Sequence, residues 1–252
     1  MAGMGRIRAG ARGVTKWLAL ILAVIAFGLP SSASATERTF LMGSFKDIII
    51  IGDMQVDIVT GKTPSATAQG DIRMLDALRL DRIGTTMTLR LQSFPNNDKA
   101  RPFTQPLIVR ITNGEVRNVA LRGNAKLSIS QIRQNLGAKM GIEGGGDIRV
   151  GNATADTLTA DISGSGAVHI SSGKIRNMVV YMKGSGVFDA GAMSTQQLKL
   201  TQEGNATTSF SIEDKADIFN TGSGSIDIRG KGFCFIRKAG AATIRCSHTG
   251  KE

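Results

Sequence analysis

The sequence holds little of what catalysis and metal binding usually draw on. Its 252 residues include two histidines, two cysteines, one tryptophan and one tyrosine. His169 and His248 with Cys234 and Cys246 are too few ligands for a tetrahedral metal centre, and no cofactor motif accompanies them. No Gly-Lys-Ser/Thr follows a glycine turn, which excludes a phosphate loop. No Gly-x-Ser-x-Gly sits at a strand-to-helix junction with a partnered histidine, which excludes a nucleophile elbow. Long runs of 3.6-residue hydrophobic period are missing as well, so the chain is not a helical protein. Catalytic, cofactor and metal sites are therefore not expected.

Long apolar stretches are also scarce. The longest, Trp17 to Leu29, spans 13 residues. As a helix it would reach roughly 20 Å, short of the ~30 Å hydrocarbon core of a bilayer. Arg6, Arg8, Arg12 and Lys16 precede it, Pro30 ends it, and Ala33-Ser34-Ala35 follows as a small-x-small cleavage site. That order reads as a signal peptide over 1–35, cut after Ala35 to leave Thr36 at the new N-terminus, with a single membrane anchor as the alternative. No cysteine follows closely enough for lipid attachment, and no paired arginines mark a twin-arginine signal. The expected location is periplasmic, outer-membrane-associated or extracellular, with no membrane anchor after processing.

Residues 36–252 then form one domain. Removing the four basic leader residues from 31 leaves 27 against 20 acidic ones, a net +7. Export leaves nucleic acid out of the partner list. A basic exported protein meets anionic envelope polysaccharide, lipid headgroups or acidic envelope proteins, unless the charge serves only solubility. Cys234 and Cys246, close together in an exported chain, are expected to form a disulfide rather than stay free thiols.

What the chain does have is glycine, 31 residues of it. Seven of them, Gly123, Gly144, Gly164, Gly184, Gly204, Gly222 and Gly240, centre turns spaced 21, 20, 20, 20, 18 and 18 residues apart. Six residues after each stand Ile129, Val150, Ile170, Ala190, Phe210, Ile228 and Cys246, all apolar. Four after stand Leu127, Ile148, Val168, Phe188, Thr208, Ile226 and Ile244. Four before stand Val119, Met140, Ala160, Val180, Leu200, Ile218 and Ile236; six before stand Arg117, Ala138, Leu158, Met178, Leu198, Ala216 and Cys234. Apolar positions two apart are strand periodicity. Hairpins in a sandwich or barrel would not keep the same columns apolar through seven units, whereas stacked coils would. The expected fold is a right-handed parallel β-helix with coils of about 20 residues, a sandwich or barrel being the alternative. Residues 116–246 are the regular coils, 36–115 irregular coils or a cap, and 247–252 a tail. Short helical turns are expected over Met74 to Leu80 and Ser130 to Lys139, and an exposed loop over Phe94 to Pro106.

Phe45…Ile48-x-Ile50-x-Gly52-Asp53…Val56-x-Ile58…Gly61, followed by repeated Ser-Gly-Ser-Gly and Thr-Gly-Ser-Gly turns, resembles the head GIN domain family, described as an auto-transporter adhesin domain. The resemblance spans nearly all of Thr36 to Cys246 and implies envelope or surface placement with an adhesion-type role. Arg122-Gly123-Asn124-Ala125 and Glu203-Gly204-Asn205-Ala206 depart from the Gly-Ser-Gly form, and no translocating barrel follows.

Five residues after the glycines stand Ser128, Arg149, His169, Asp189, Ser209, Asp227 and Arg245, which should form an outward row. His169 beside Asp189 is either an acid/base pair or one step of a solvated charge ladder. Glu143-Gly144-Gly145-Gly146-Asp147 resembles a single unit of a calcium repeat, which needs tandem copies. Because some parallel β-helices cleave polysaccharides with paired carboxylates, a polysaccharide-active lyase or hydrolase using Asp189 and Asp227 is the alternative to a non-catalytic binding module.

Overall fold

A computed structural model describes residues 36–92, 103 and 105–249. The expected leader with Ala35, and most of the loop expected over Phe94 to Pro106, lie outside the described residues. Among the described residues, sixteen strands join into one sheet that wraps as stacked parallel coils, a β-solenoid of about six turns. No helix among them is long and apolar enough to cross a membrane.

The coils are β9 (Lys126–Gly144), β10 (Asp147–Gly164), β11 with β12 (Ala167–Ile170, Gly173–Gly184), β13 (Val187–Gly204), β14 (Thr207–Asn220) and β15 (Ser225–Lys238). A last half-coil, β16 (Thr243–Thr249), and a short β8 (Asn118–Gly123) flank them. Successive coils pair in parallel, and Gly123, Gly144, Gly164, Gly184 and Gly204 stand in one column.

Along each coil the in–out alternation slips wherever the chain turns. In β10, Ile148 and Val150 are buried, and Gly151 and Asn152 then leave the interior together. Ala153 and Ala155 are buried, Asp156 and Thr157 leave it, and Leu158, Ala160 and Ile162 return. A coil thus has three straight runs, where the pattern around the glycine showed two. They are called here the post-corner, middle and pre-corner faces, in chain order after each glycine corner.

The apolar columns fill the interior. Ile148, Val168, Phe188 and Ile226 are at most 1% exposed. Phe188 and Phe210 stack at 5.3 Å, because the residues opposite them on adjoining coils, Thr208 and Ala190, are small. Thr208, the polar member of its column, donates to Gln202 Oε1 at 3.2 Å, and Gln202 donates to the Ala206 carbonyl at 2.9 Å. Both buried groups are therefore satisfied. Arg117 breaks its column: it stays partly exposed and Val116 is buried instead.

At the glycine corner the coils approach closely. Gly144, Gly164 and Gly184 have φ of 125°, 121° and 120°, a region closed to most side chains. A Cβ on Gly144 would lie 2.7 Å from the Gly123 carbonyl oxygen, and one on Gly164 2.5 Å from that of Gly144. The ladder continues around the bend through Ser165 N to Gly144 O at 3.0 Å and Ala167 N to Gly146 O at 2.8 Å. Length changes are absorbed at other corners. The 21-residue coil places its extra residue at Asn135–Leu136, opposite the single Asp156 of β10. The first 18-residue coil shortens where Ala190 to Ser194 of β13 faces Phe210 to Ser211 of β14.

The N-terminal strands, unplaced by sequence, are partly coil and partly cap. β2 (Asp47–Ile51) pairs with β8, and β3 (Gln55–Thr60) with β9, both in parallel. Gly52 N donates to Arg122 O at 2.9 Å, which continues the glycine column. β6 (Thr86–Leu91) and β7 (Ile108–Asn113) stack on the other side of β2 and β3. The rungs thus run out of chain order: β6 with β7, then β2 with β3, then β8 with the start of β9. Antiparallel strands finish this end, β4 (Ser65–Gly70) on β7, β1 (Thr36–Phe40) on β4 and β5 (Leu78–Ile83) on β6. α1 (Ile72–Ala77) buries Met74 and Leu75 there and overlaps the helical turn expected over Met74 to Leu80, whose last three residues instead begin β5 because they pair with β6. Ser130 to Lys139 is strand throughout, not helical, because its residues pair with the next coil.

At the other end Cys234 and Cys246 form the disulfide, with Cα atoms 6.5 Å apart across the last corner. Closing so short a loop contributes about 3 kcal/mol in the chain-entropy model. Under unfolding conditions without reductant, alkylation should leave the protein mass unchanged, and with reductant it should add two adducts. Two adducts without reductant would rule the bond out.

Neighbouring residues on opposite sides of the sheet give a sharp test of the columns. Val168→Asp places an unpaired charge in the core and should cost about 4 kcal/mol or more, enough to unfold many domains. His169→Ala, one residue on, should stay within about 0.5 kcal/mol. Urea denaturation of both variants checks the pair.

Candidate functional site

With the interior filled by side chains, chemistry is confined to the outer surfaces of the coil. Side chains there repeat at the spacing between strands, about 4.8 Å, so each outward position becomes a row. Two faces carry distinctive rows.

On the post-corner face the register aligns Arg110, Asp57, Ser128, Arg149, His169, Asp189, Ser209, Asp227 and Arg245. The row expected from sequence is therefore real, and the cap-end strands extend it to Asp57 and Arg110. Its acidic groups are engaged. Arg229 contacts Asp227 at 2.8 Å. Arg149 reaches along its own strand to Asp147 at 2.9 Å. Asp189 accepts a hydrogen bond from the Ser209 hydroxyl and another from Gly191 N at 3.2 Å. The Ser209 bond first, then Gly191, hold the Asp189 carboxyl below its ordinary pKa, against the opposing effect of burial. His169 Nδ1 stands 3.9 Å from Asp189 Oδ2, beyond hydrogen-bond reach. The geometry is that of the charge ladder rather than an oriented acid/base pair. Asp189 and Asp227 share the row with Ser209 between them, roughly 10 Å apart by strand spacing. In the glycine-rich Glu143–Asp147 turn, Glu143 lies 3.3 Å from Arg122 and Asp147 holds Arg149, so both carboxylates face cations.

The pre-corner face holds a feature that sequence reading missed. Near the cap, the inserted Asn135–Leu136 corner overhangs a cleft of about 780 Å³ lined by Lys46, Glu115, Arg117, Arg133, Gln134 and Lys139. Lys46 contacts Glu115 at 2.9 Å and lowers its pKa chiefly through that hydrogen bond, with Gln134 adding to it. Arg117 lies 3.3 Å from Asp47. Leu136 is 83% exposed beside them. The arrangement suits a weakly held anion better than a reaction, since the carboxylates present are already paired. The signal that could have revealed it was the single 21-residue glycine spacing in a series of 20, which marks one extra corner residue.

The family model for "putative auto-transporter adhesin, head GIN domain" matches residues 44–232. The chain belongs to the head GIN domain family. No curated protein matches it. Solved structures share the fold at low identity. The crystal structure of a "putative adhesin" from Bacteroides fragilis is 18% identical, with a TM-score of 0.73, covering 87% of this chain and 100% of that one. A "putative lipid binding protein" from Parabacteroides distasonis is 15% identical, with a TM-score of 0.63, covering 85% of this chain and 97% of that one. A "putative adhesin" from Parabacteroides merdae matches with the same TM-score of 0.63 and 15% identity, covering 85% of this chain and 97% of that one. At these identities the likeness concerns the fold alone, and the stacked β-coil is what these structures share.

The Asp189 environment makes a pH prediction with a definite sign. A depressed folded-state pKa adds stability above the unfolded value, which is lost as pH falls through the folded one. Ser209→Ala should raise the Asp189 pKa toward the ordinary carboxylate range and narrow that acid-side contribution. Carbon-detected NMR titration of the Asp189 carboxyl in both proteins measures it.

Proposed function

We propose that this head GIN protein is an exported, non-catalytic binding module of the cell envelope. The observation that carries the reading is the surface itself: straight, laddered outer faces whose acidic groups are mostly engaged by neighbouring cations and hydroxyls. Such a surface presents an extended array to a partner rather than converging groups on one bond. Family membership and the binding-type names of structures with the same fold, adhesin and lipid-binding protein, support it.

Export rests on the basic leader, the apolar run and Ala33-Ser34-Ala35, and is supported by the disulfide, which forms in oxidising compartments. Cleavage between Ala35 and Thr36 would leave every described strand intact, since β1 begins at Thr36. An anionic envelope component or another envelope protein is the partner class that the net positive charge favours.

The test starts from cells expressing the full chain. The protein is expected in an exported fraction with Thr36 at its N-terminus, and it should be retained by isolated cell envelopes. Intracellular protein with an intact leader, or no retention by envelopes, would overturn the reading. Release of new sugar ends from envelope polysaccharide would replace it with a degradative one.

A further inference from the structure

The rows of the pre-corner face change character toward the disulfide end. Its outward positions there are Lys215, Asp217 and Phe219 on β14, paired with Phe233, Phe235 and Arg237 on β15. Lys199 and Thr201 of β13 lie on the coil before, and Tyr181 of β12 on the one before that. Phe233 is 54% exposed, Phe219 41% and Tyr181 41%, while Phe235 is half-buried among them. Three of the ten phenylalanines in the chain thus stand together outside the core. Phenyl rings have no polar handle, so water gains nothing from their exposure.

Cations frame the rings. Lys215 Nζ lies 4.8 Å from the centre of the Phe235 ring and 3.1 Å from Asp217, the acidic residue of the patch. Lys199 and Arg237 lie on either side, with no ion pair to any described residue. Rings that seek hydrocarbon, bordered by cations that seek phosphate, match the two layers met at a phospholipid surface. The strands run side by side, so the rings and cations form a shallow patch able to meet a flat partner at many points.

We propose that the Phe219–Phe233–Phe235 patch docks the protein on an anionic phospholipid surface, with the rings entering the acyl boundary and Lys199, Lys215 and Arg237 meeting headgroup phosphates. The inference rests on the binding-module reading above and names the partner of one face. It locates contact away from both the charge ladder and the basic cleft.

Protein recovered after expression of the full chain is mixed with phosphatidylcholine vesicles, with or without phosphatidylglycerol, and sedimented. Binding is expected only with phosphatidylglycerol. Phe219→Ser with Phe233→Ser should weaken it about tenfold or more, as should Lys199→Gln with Lys215→Gln. Arg110→Gln with Arg245→Gln removes the same charge from the post-corner face and should leave binding within about twofold. Circular dichroism melts confirm that each variant folds. Equal loss in the arginine variant would reduce the effect to net charge and overturn the proposal. So would dextran sulfate binding that matches vesicle binding and ignores the phenylalanine changes, which would identify a polyanion partner. A drop in oligomer mass on changing the phenylalanines would show that a second copy covers the patch, and would overturn it equally. Retention by envelopes without vesicle binding defeats this inference alone; loss of both defeats the binding-module reading with it.

Discussion

The whole structure depends on main-chain ladders that do not stop at the corner. For one coil to lie on the next through a sharp bend, carbonyls of the lower coil must reach amides of the upper one where side chains would normally intervene. The column from Gly123 to Gly204 removes the Cβ at that point and takes φ values between 93° and 125° that other residues resist. Because the corner holds register from coil to coil, each side chain stands over its counterpart, and a single apolar column becomes a continuous core. The other corners carry single constrained glycines, such as Gly173 and Gly230, rather than a continuous column, and they are where the chain gains and loses residues.

A stack of this kind must also end. At one end the chain turns antiparallel, with β1, β4, β5 and α1 replacing another parallel coil, and Met74 and Leu75 filling the interior. At the other, β16 covers part of β15 and the Cys234–Cys246 bond ties the half-coil to the body. A terminal coil has a neighbour on one side only and frays most readily, so a covalent tie there acts where packing is weakest. The same argument explains why Ile236, Ile244 and Cys246 are only partly buried although they belong to core columns.

The outside of the coil is free of these demands, and its faces differ accordingly. The post-corner row interleaves basic, acidic and hydroxyl side chains so that no two carboxylates are neighbours, as expected where neighbours about 4.8 Å apart must not repel. The pre-corner face departs from that pattern twice, at the overhung basic cleft and at the exposed phenylalanines. Departures from a well-solvated ladder are informative because nothing in the fold requires them.

The sequence by itself determined the coil. Glycine spacing and apolar columns suffice, because stacking makes every core position recur at a near-constant interval, and the disulfide followed from two cysteines close together in a chain read as exported. It also carried the opening rung, since Ile48, Val56 and Ile58 hold the repeat positions around Gly52, but without a neighbouring rung in sequence the match had no period to announce it. Only the tertiary structure decided that β6 and β7 stack outside β2 and β3, because parallel pairing is indifferent to chain order. It alone decided the middle run, whose corners are slips in alternation rather than recurring glycine turns. And it alone brought Phe219 beside Phe233 and Phe235, since outward residues on different coils become neighbours through a register that no local pattern encodes.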